Sequence, residues 1–290
     1  MIILNSLVVS RCFFALAAAL VLVGMSTQFT VAQEAEKSAL PLMFDPRERL
    51  QRPDLASVPR IRFMTTVDFP PFNFIDQSGK LSGFHVDLAR EICRELNVLE
   101  RCQIEALPYK DLMTALGKGD GDVIAAGLRV TPELRQEASL SRPFMQLPAR
   151  FVTSVGQTKL TDPSLLKAGE VGVVTGTAHE AMLAAFFPGA KPRTFPKRDD
   201  ALGALKKGEV KAVFGDGLQL AFWLESADAA GCCRFLGGPY YSRAILGDGL
   251  TLVTRKDAPL IAQAMNAALL ALSRNGRLNQ IYLRYFPHGL

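Results

Sequence analysis

The sequence is poor in residues that commonly advertise chemistry. Its 290 residues hold three histidines and one tryptophan. His85, His179 and His288 have no H-x-x-x-H or C-x-x-C companion, so no zinc motif exists and neither a metal nor another cofactor is expected. No G-x-S-x-G elbow, Walker loop or strand-borne G-x-G-x-x-G occurs, and nothing in the spacing of Ser, His and Asp links them into a triad. Lys and Arg outnumber Asp and Glu by 33 to 28, yet form no block and no aromatic-interleaved stripe. That removes nucleic acid as a partner. The mild basicity is compatible with long-range attraction of anionic solutes.

Long apolar runs are missing too, with one exception. Phe13 to Met25 follows Arg11 and precedes a polar stretch with Thr30-Val31-Ala32. The run falls short of the roughly 18–20 residues that span a bilayer and has the layout of a secretory signal peptide, with cleavage expected after Ala32 and export to the periplasm. A retained anchor is the competing reading. Arg11 immediately before Cys12 makes Cys12 a poor lipoprotein site.

Four cysteines remain beyond the signal: Cys93, Cys102, Cys232 and Cys233. An oxidising compartment favours bridges. Cys93 and Cys102 flank the end of one expected helix and are expected to pair, whereas the adjacent Cys232 and Cys233 are left either a vicinal ring or two thiols.

Residues 33–59 carry four prolines at 41, 46, 53 and 59 with little periodicity, and read as an extended arm ahead of the folded body. From Ile61 the pattern changes. Ile61 to Thr66 reads as a strand. Val86, Ala89, Ile92, Cys93 and Leu96 recur at helical spacing opposite Arg90, Glu91, Arg94 and Glu95. Ile104–Leu107 and Val123–Ala126 are further strands around a helix at Asp111–Leu116, the rhythm of a parallel sheet. A second half repeats it with Val171–Val174, helices at Ala178–Phe187 and Ala201–Lys206, and the strand Ala212–Phe214. The segment Leu116 to Ile124 lines up with Leu205 to Val213 as helix end, Gly-bearing turn and strand. By that repeat Gly127 and Asp216 occupy equivalent places. A helix from Asp257 to Ser273, capped by Asp257, and a short one through Ile281, Tyr282 and Tyr285 close the chain.

Ligands of open parallel sheets bind beyond the carboxyl ends of the strands. Thr175-Gly176-Thr177-Ala178-His179 joins such an end to a helix, where backbone N–H groups and the dipole suit an anion; an ordinary helix cap explains it as well. Asp216 suits an ammonium group, or serves as a turn residue. Phe69, Phe72 and Tyr109 offer an apolar or cation-binding wall, with Phe72 the best candidate for plain core. Arg129 and Arg135 follow a strand end, where a guanidinium forks onto a carboxylate; one of them is equally a solvated helix charge.

Taken in order, Pro70-Pro71-Phe72-Asn73-Phe74, Gly83-Phe84-His85-Val86-Asp87-Leu88, Gly119-Asp120-Gly121-Asp122-Val123-Ile124, Thr131-Pro132-Glu133, Val171 to Thr177, Gly215-Asp216 and Asn275-Gly276-Arg277-Leu278 make a specific set. From Ile61 to Phe286 the chain resembles the family 3 extracellular solute-binding proteins of amino-acid ABC transporters. The resemblance implies an α/β, two-lobed periplasmic-binding-protein type II fold. Each lobe is a mainly parallel sheet flanked by helices, and two hinge strands join them. The lobes are then expected at 60–155 and 156–241, with 242–290 returning to the first. It implies capture of an amino acid or related polar solute and delivery to a membrane permease; the lack of heptads and of a long amphipathic surplus points to a monomer, and the lack of catalytic motifs to binding without turnover.

Carried over by position, Phe69 and Tyr109 match wall residues, Ala126 and Gly127 a backbone contact, Thr177 and His179 the second-lobe loop, and Asp216 the acid that receives an ammonium group. The family's carboxylate-binding arginine stands three residues after the Thr of the T-P-E segment. Here that place is Leu134, so Arg135 or Arg129 has to replace it. His85 stands where an acid is usual. Two other functions fit similar lobes: a cyclohexadienyl dehydratase using Glu180, Asp216 or His179 for proton chemistry, and a sensory module whose closed form reports to a receptor.

Overall fold

The computed structural model describes residues 43–45, 47–168, 170–287 and 289; the expected signal segment 1–32 and residues 33–42 of the arm lie outside them. The body opens with the strand Ile61–Thr65 (β1), four of whose five side chains are buried. A strand apolar on both faces needs cover on both, which a parallel sheet with flanking helices provides. A short antiparallel ribbon follows, Asp68–Phe69 (β2), Asn73–Ile75 (β3) and Leu81–Ser82 (β4). It ends at Gly83, whose φ of 129° and position against the Phe72 carbonyl admit no side chain: a methyl there would sit 2.2 Å from that oxygen. The close approach lets Pro71 and Phe72 carbonyls accept from the first N–H groups of the helix Phe84–Glu95. All five apolar positions expected from its spacing are buried, together with Phe84, His85 and Leu88. Each large apolar side chain so buried contributes about 1.5–3 kcal/mol.

The remaining strands are Cys102–Ala106 (β5), Val123–Ile124 (β6), Ala138–Leu140 (β7), Ala149–Ser154 (β8), Val171–Val174 (β9), Arg193–Phe195 (β10), Ala212–Asp216 (β11), Cys233–Tyr240 (β12) and Val253–Arg255 (β13). They form two five-stranded sheets of order β5-β1-β6-β13-β7 and β10-β9-β11-β8-β12. In each, the first three strands run parallel and the last two join antiparallel. The third place belongs to β6 in one sheet and β11 in the other, the two strands matched by the internal repeat.

The fourth strand of each sheet arrives from the other one. β8 follows β7 out of the first sheet into the second, and β13 follows β12 back. The sheet hydrogen bonds thus assign Ala149–Ser154 to the second sheet, where the sequence reading started the second lobe at residue 156. The two crossings hydrogen-bond to each other: Leu250 N donates to Met145 O at 2.7 Å and Phe144 N to Leu250 O at 3.0 Å.

Two further expectations need correction. The residues of the arm at 43–59 are not outside the folded body, because Phe44 and Leu55 are buried in the first sheet's core with Met43, Leu50 and Val58 packed around them. Arg101 donates to the Val58 carbonyl at 2.5 Å, and Arg142 ion-pairs with Glu48. Apolar residues spaced irregularly along an extended segment carry no period to read. Asp257 does not cap the helix Pro259–Arg274; Ala258 holds the N-cap place and Asp257 pairs with Arg255 at 3.1 Å.

Candidate functional site

The loop after β6 and the second crossing enclose a pocket of about 420 Å³, lined on one side by residues 127–132 and Arg135 and on the other by residues 241–250, with Gln146 and Leu147 from the first crossing between them. Three of the expected residues, Gly127, Arg129 and Arg135, come together here. Gly127 has a φ of +66°, and a methyl on it would stand 3.2 Å from the Phe69 ring. Phe69 therefore backs the loop rather than lining the pocket, stacked at 4.8 Å on the fully buried Phe72, which is core as anticipated. Ala126 is buried beneath the loop.

The two arginines differ sharply. Arg135, on the helix Pro132–Glu137 that Thr131 caps, donates from Nη2 to Asp248 Oδ2 at 2.5 Å. Asp248 also accepts from Arg243 Nε and Nη2 at 3.3 and 3.1 Å. Arg129 is exposed and takes part in no hydrogen bond or ion pair among the described residues.

On the second sheet the loop after β9 starts the helix Ala178–Phe186. Thr177 Oγ1 accepts from Glu180 N at 3.3 Å, and Glu180 accepts from Gly176 N at 2.7 Å. This reciprocal capping box occupies one of the N–H groups an anion would use. Thr175 is exposed, with its hydroxyl on the Phe195 carbonyl at 3.2 Å. His179 is half-buried beside Phe214; burial lowers its pKa, while the nearby Asp216 carboxylate acts in the opposite direction. Asp216 ends β11 and caps the helix Gly217–Glu225, Oδ1 accepting from Gln219 N at 2.9 Å. Tyr109 starts the short 3-10 helix Tyr109–Asp111, is more than half exposed, and is absent from the pocket lining.

Sequence reasoning missed the side chains that the crossings bring in. Tyr241, Ser242, Arg243 and Asp248 line the pocket, and burial raises the Tyr241 pKa. Gly249, at φ +106°, marks where the crossings touch: a methyl on it would stand 2.4 Å from the Met145 carbonyl. That Gly-Asp-Gly run at 247–249 was the available signal. Arg150 was missed as well. It lies in β8 opposite Gly215, its guanidinium 3.9 Å from the Phe235 ring centre, and burial lowers its pKa. Among the described residues, no group of three or more His, Cys, Asp and Glu is placed to hold a metal ion.

Known proteins give this geometry a context. The putative ABC transporter arginine-binding protein 2 of Escherichia coli (strain K12) is 28% identical over 226 residues, which cover 78% of this chain and 90% of that protein. The L-arginine-binding protein of Pseudomonas aeruginosa is 29% identical over 240 residues, covering 82% and 92%. In fold, the chain is similar to the second substrate binding domain of a putative amino acid ABC transporter from Streptococcus pneumoniae, with a TM-score of 0.66 at 20% identity over 78% of this chain and 99% of that one. The two sheets are thus the lobes of a type II periplasmic-binding fold. The family model described as bacterial extracellular solute-binding proteins, family 3, matches residues 61–288, and the chain belongs to that family of solute-binding proteins.

Proposed function

We propose that the solute is an amino acid or a close derivative, held between the two sheets in the periplasm and handed to the permease of an ABC transporter. The carrying observation is a pair of opposite charges near equivalent strand ends: Arg129 beyond β6, exposed at the pocket and unpaired among the described residues, and Asp216 at the end of β11. A guanidinium and a carboxylate on different lobes complement the α-carboxylate and α-ammonium of one molecule. Arg129 takes the place left by the displaced family arginine, since Arg135 is held by Asp248. Gly127 shapes the first wall, backed by Phe69 and Ala126; Thr175, Thr177 and His179 close from the second. The crossings around residues 141–148 and 241–252 are the hinges, and ligand preference for the closed form drives the population shift. The names of the relatives, which say arginine binding, support the amino-acid class.

The protein acts by binding, as a monomer, without turnover. Glu180 and Asp216, the carboxylates a dehydratase would use, both accept from backbone N–H groups at helix starts, so each is already engaged in holding its helix terminus. The test is calorimetric titration of the purified protein with the amino acids, followed by incubation with prephenate and arogenate. Stoichiometric heat from an amino acid and unchanged prephenate and arogenate are expected. No heat from any of them overturns the amino-acid reading, and phenylpyruvate or phenylalanine formation overturns the non-catalytic one.

A further inference from the structure

The pocket's ionisable side chains are unbalanced. Arg129, Arg135 and Arg243 line it together with one acid, Asp248. Both oxygens of that acid are engaged, Oδ2 by Arg135 at 2.5 Å and Oδ1 by Arg243 at 3.1 Å. Two guanidiniums thus share one carboxylate, and the third, Arg129, has no partner among the described residues. The wall carries surplus positive charge at two places: on Arg129, and on the Arg135–Asp248–Arg243 cluster.

A solute with a cationic side chain meets both surpluses. At an effective dielectric near 20 and a separation of about 10 Å, each surplus charge changes a binding constant by roughly tenfold. The sign therefore separates acidic from basic solutes of one size. The Tyr241 and Ser242 side chains beside the cluster add hydroxyl groups that can donate to an anionic oxygen. Long-range attraction by the wall acts in the same direction.

We propose that this pocket selects a solute with at least two carboxylates, one on Arg129 and a second against the Arg135–Asp248–Arg243 cluster. This rests on the solute-binding reading above and departs from the arginine named for the relatives. Residues 241–248, which the second crossing supplies, set the preference for an acidic side chain.

The test is isothermal titration of the purified protein, at low and at moderate salt, with L-glutamate, its neutral isostere L-glutamine, L-arginine and the amine-free dicarboxylate glutarate. L-Glutamate is expected to bind at least about tenfold more tightly than L-glutamine, with L-arginine weakest and salt weakening L-glutamate most. Arg243→Gln should weaken L-glutamate more than L-glutamine and so narrow the gap between them. L-Arginine or L-glutamine binding as tightly as L-glutamate overturns the acidic preference and leaves the amino-acid reading standing. Glutarate binding without any amino acid supports the acidic preference and removes the amino-acid reading. Silence from all four removes the acidic preference.

Discussion

Arg135 and Asp248, 113 residues apart in sequence, meet at 2.5 Å and tie the helix Pro132–Glu137 to the turn that ends the second crossing. Arg135 is thereby a tether, and Arg129, the neighbouring strand-end arginine, is unpaired among the described residues. Half of the Arg135 side chain is exposed, so the pair contributes at most about 1 kcal/mol to stability. Arg135→Gln should therefore leave the denaturation midpoint nearly unchanged and weaken solute binding less than Arg129→Gln, which is expected to cost about tenfold or more. Parallel titrations of the two variants check this; a larger affinity loss in Arg135→Gln would reverse the assignment.

His85 gives the protein an acid sensitivity. Its ring is fully enclosed among Phe72, Phe84 and Phe144, Nδ1–H donates to Asn73 Oδ1 at 2.9 Å, and Nε2 has no partner among the described residues. Burial pushes its pKa down from 6.5 to about 3. The folded state thus keeps the ring neutral over a range where the unfolded chain binds a proton. Stability from this group is fully present above the unfolded pKa and falls as pH drops from 6.5 toward 3, at up to about 1.4 kcal/mol per pH unit. Chemical denaturation at a series of pH values should show a shallower loss in His85→Leu than in the parent. Equal slopes would mean that the ring is not held neutral.

The two disulfides should differ in worth because they close loops of different length. Cys93–Cys102 spans nine residues between the helix Phe84–Glu95 and β5, while Cys232–Cys233 joins neighbours. Loop-closure entropy assigns about 2–3 kcal/mol to the first and little to the second. Cys93→Ala with Cys102→Ala should lose roughly that amount in urea, while Cys232→Ser with Cys233→Ser stays within about 0.5 kcal/mol. A comparable loss from the second pair would place its value in local packing.

The parallel edge strand Arg193–Phe195, two of whose three residues are exposed, went unread, whereas parallel strands that form short apolar runs between turn signals, such as Ile61–Thr65 and Val171–Val174, were legible. The strands supplied across the crossings were not. Ala149–Ser154 carries Arg150 and two hydroxyl residues, and Cys233–Tyr240 contains Gly237, Gly238 and Pro239, which read as a turn but sit at a register irregularity. Their pairing is long-range, Ala149 lying opposite Asp216, so no local period announces it. The same holds at the site. The repeat matched β6 with β11, which hold the third place of their sheets, whereas the pairing of Arg135 rather than Arg129 depends on Asp248, a carboxylate that only the second crossing brings near.

Asp216 has two roles that one substitution separates. As a cap, its Oδ1 accepts from Gln219 N at 2.9 Å, and asparagine caps about as well. As the proposed receiver of an ammonium group, it needs the negative charge, which asparagine lacks. Asp216→Asn should therefore keep thermal stability within about 0.5 kcal/mol while weakening an amino-acid solute about tenfold or more. A carboxylate solute without an amine should lose nothing. Loss of the neighbouring charge also lowers the His179 pKa further, because Asp216 is what opposes the effect of burial there. NMR titration of His179 reports whether the charge was removed in place, and calorimetry reports its use. If the His179 titration moves and amino-acid affinity does not, Asp216 is a cap alone, and the ammonium group is held elsewhere.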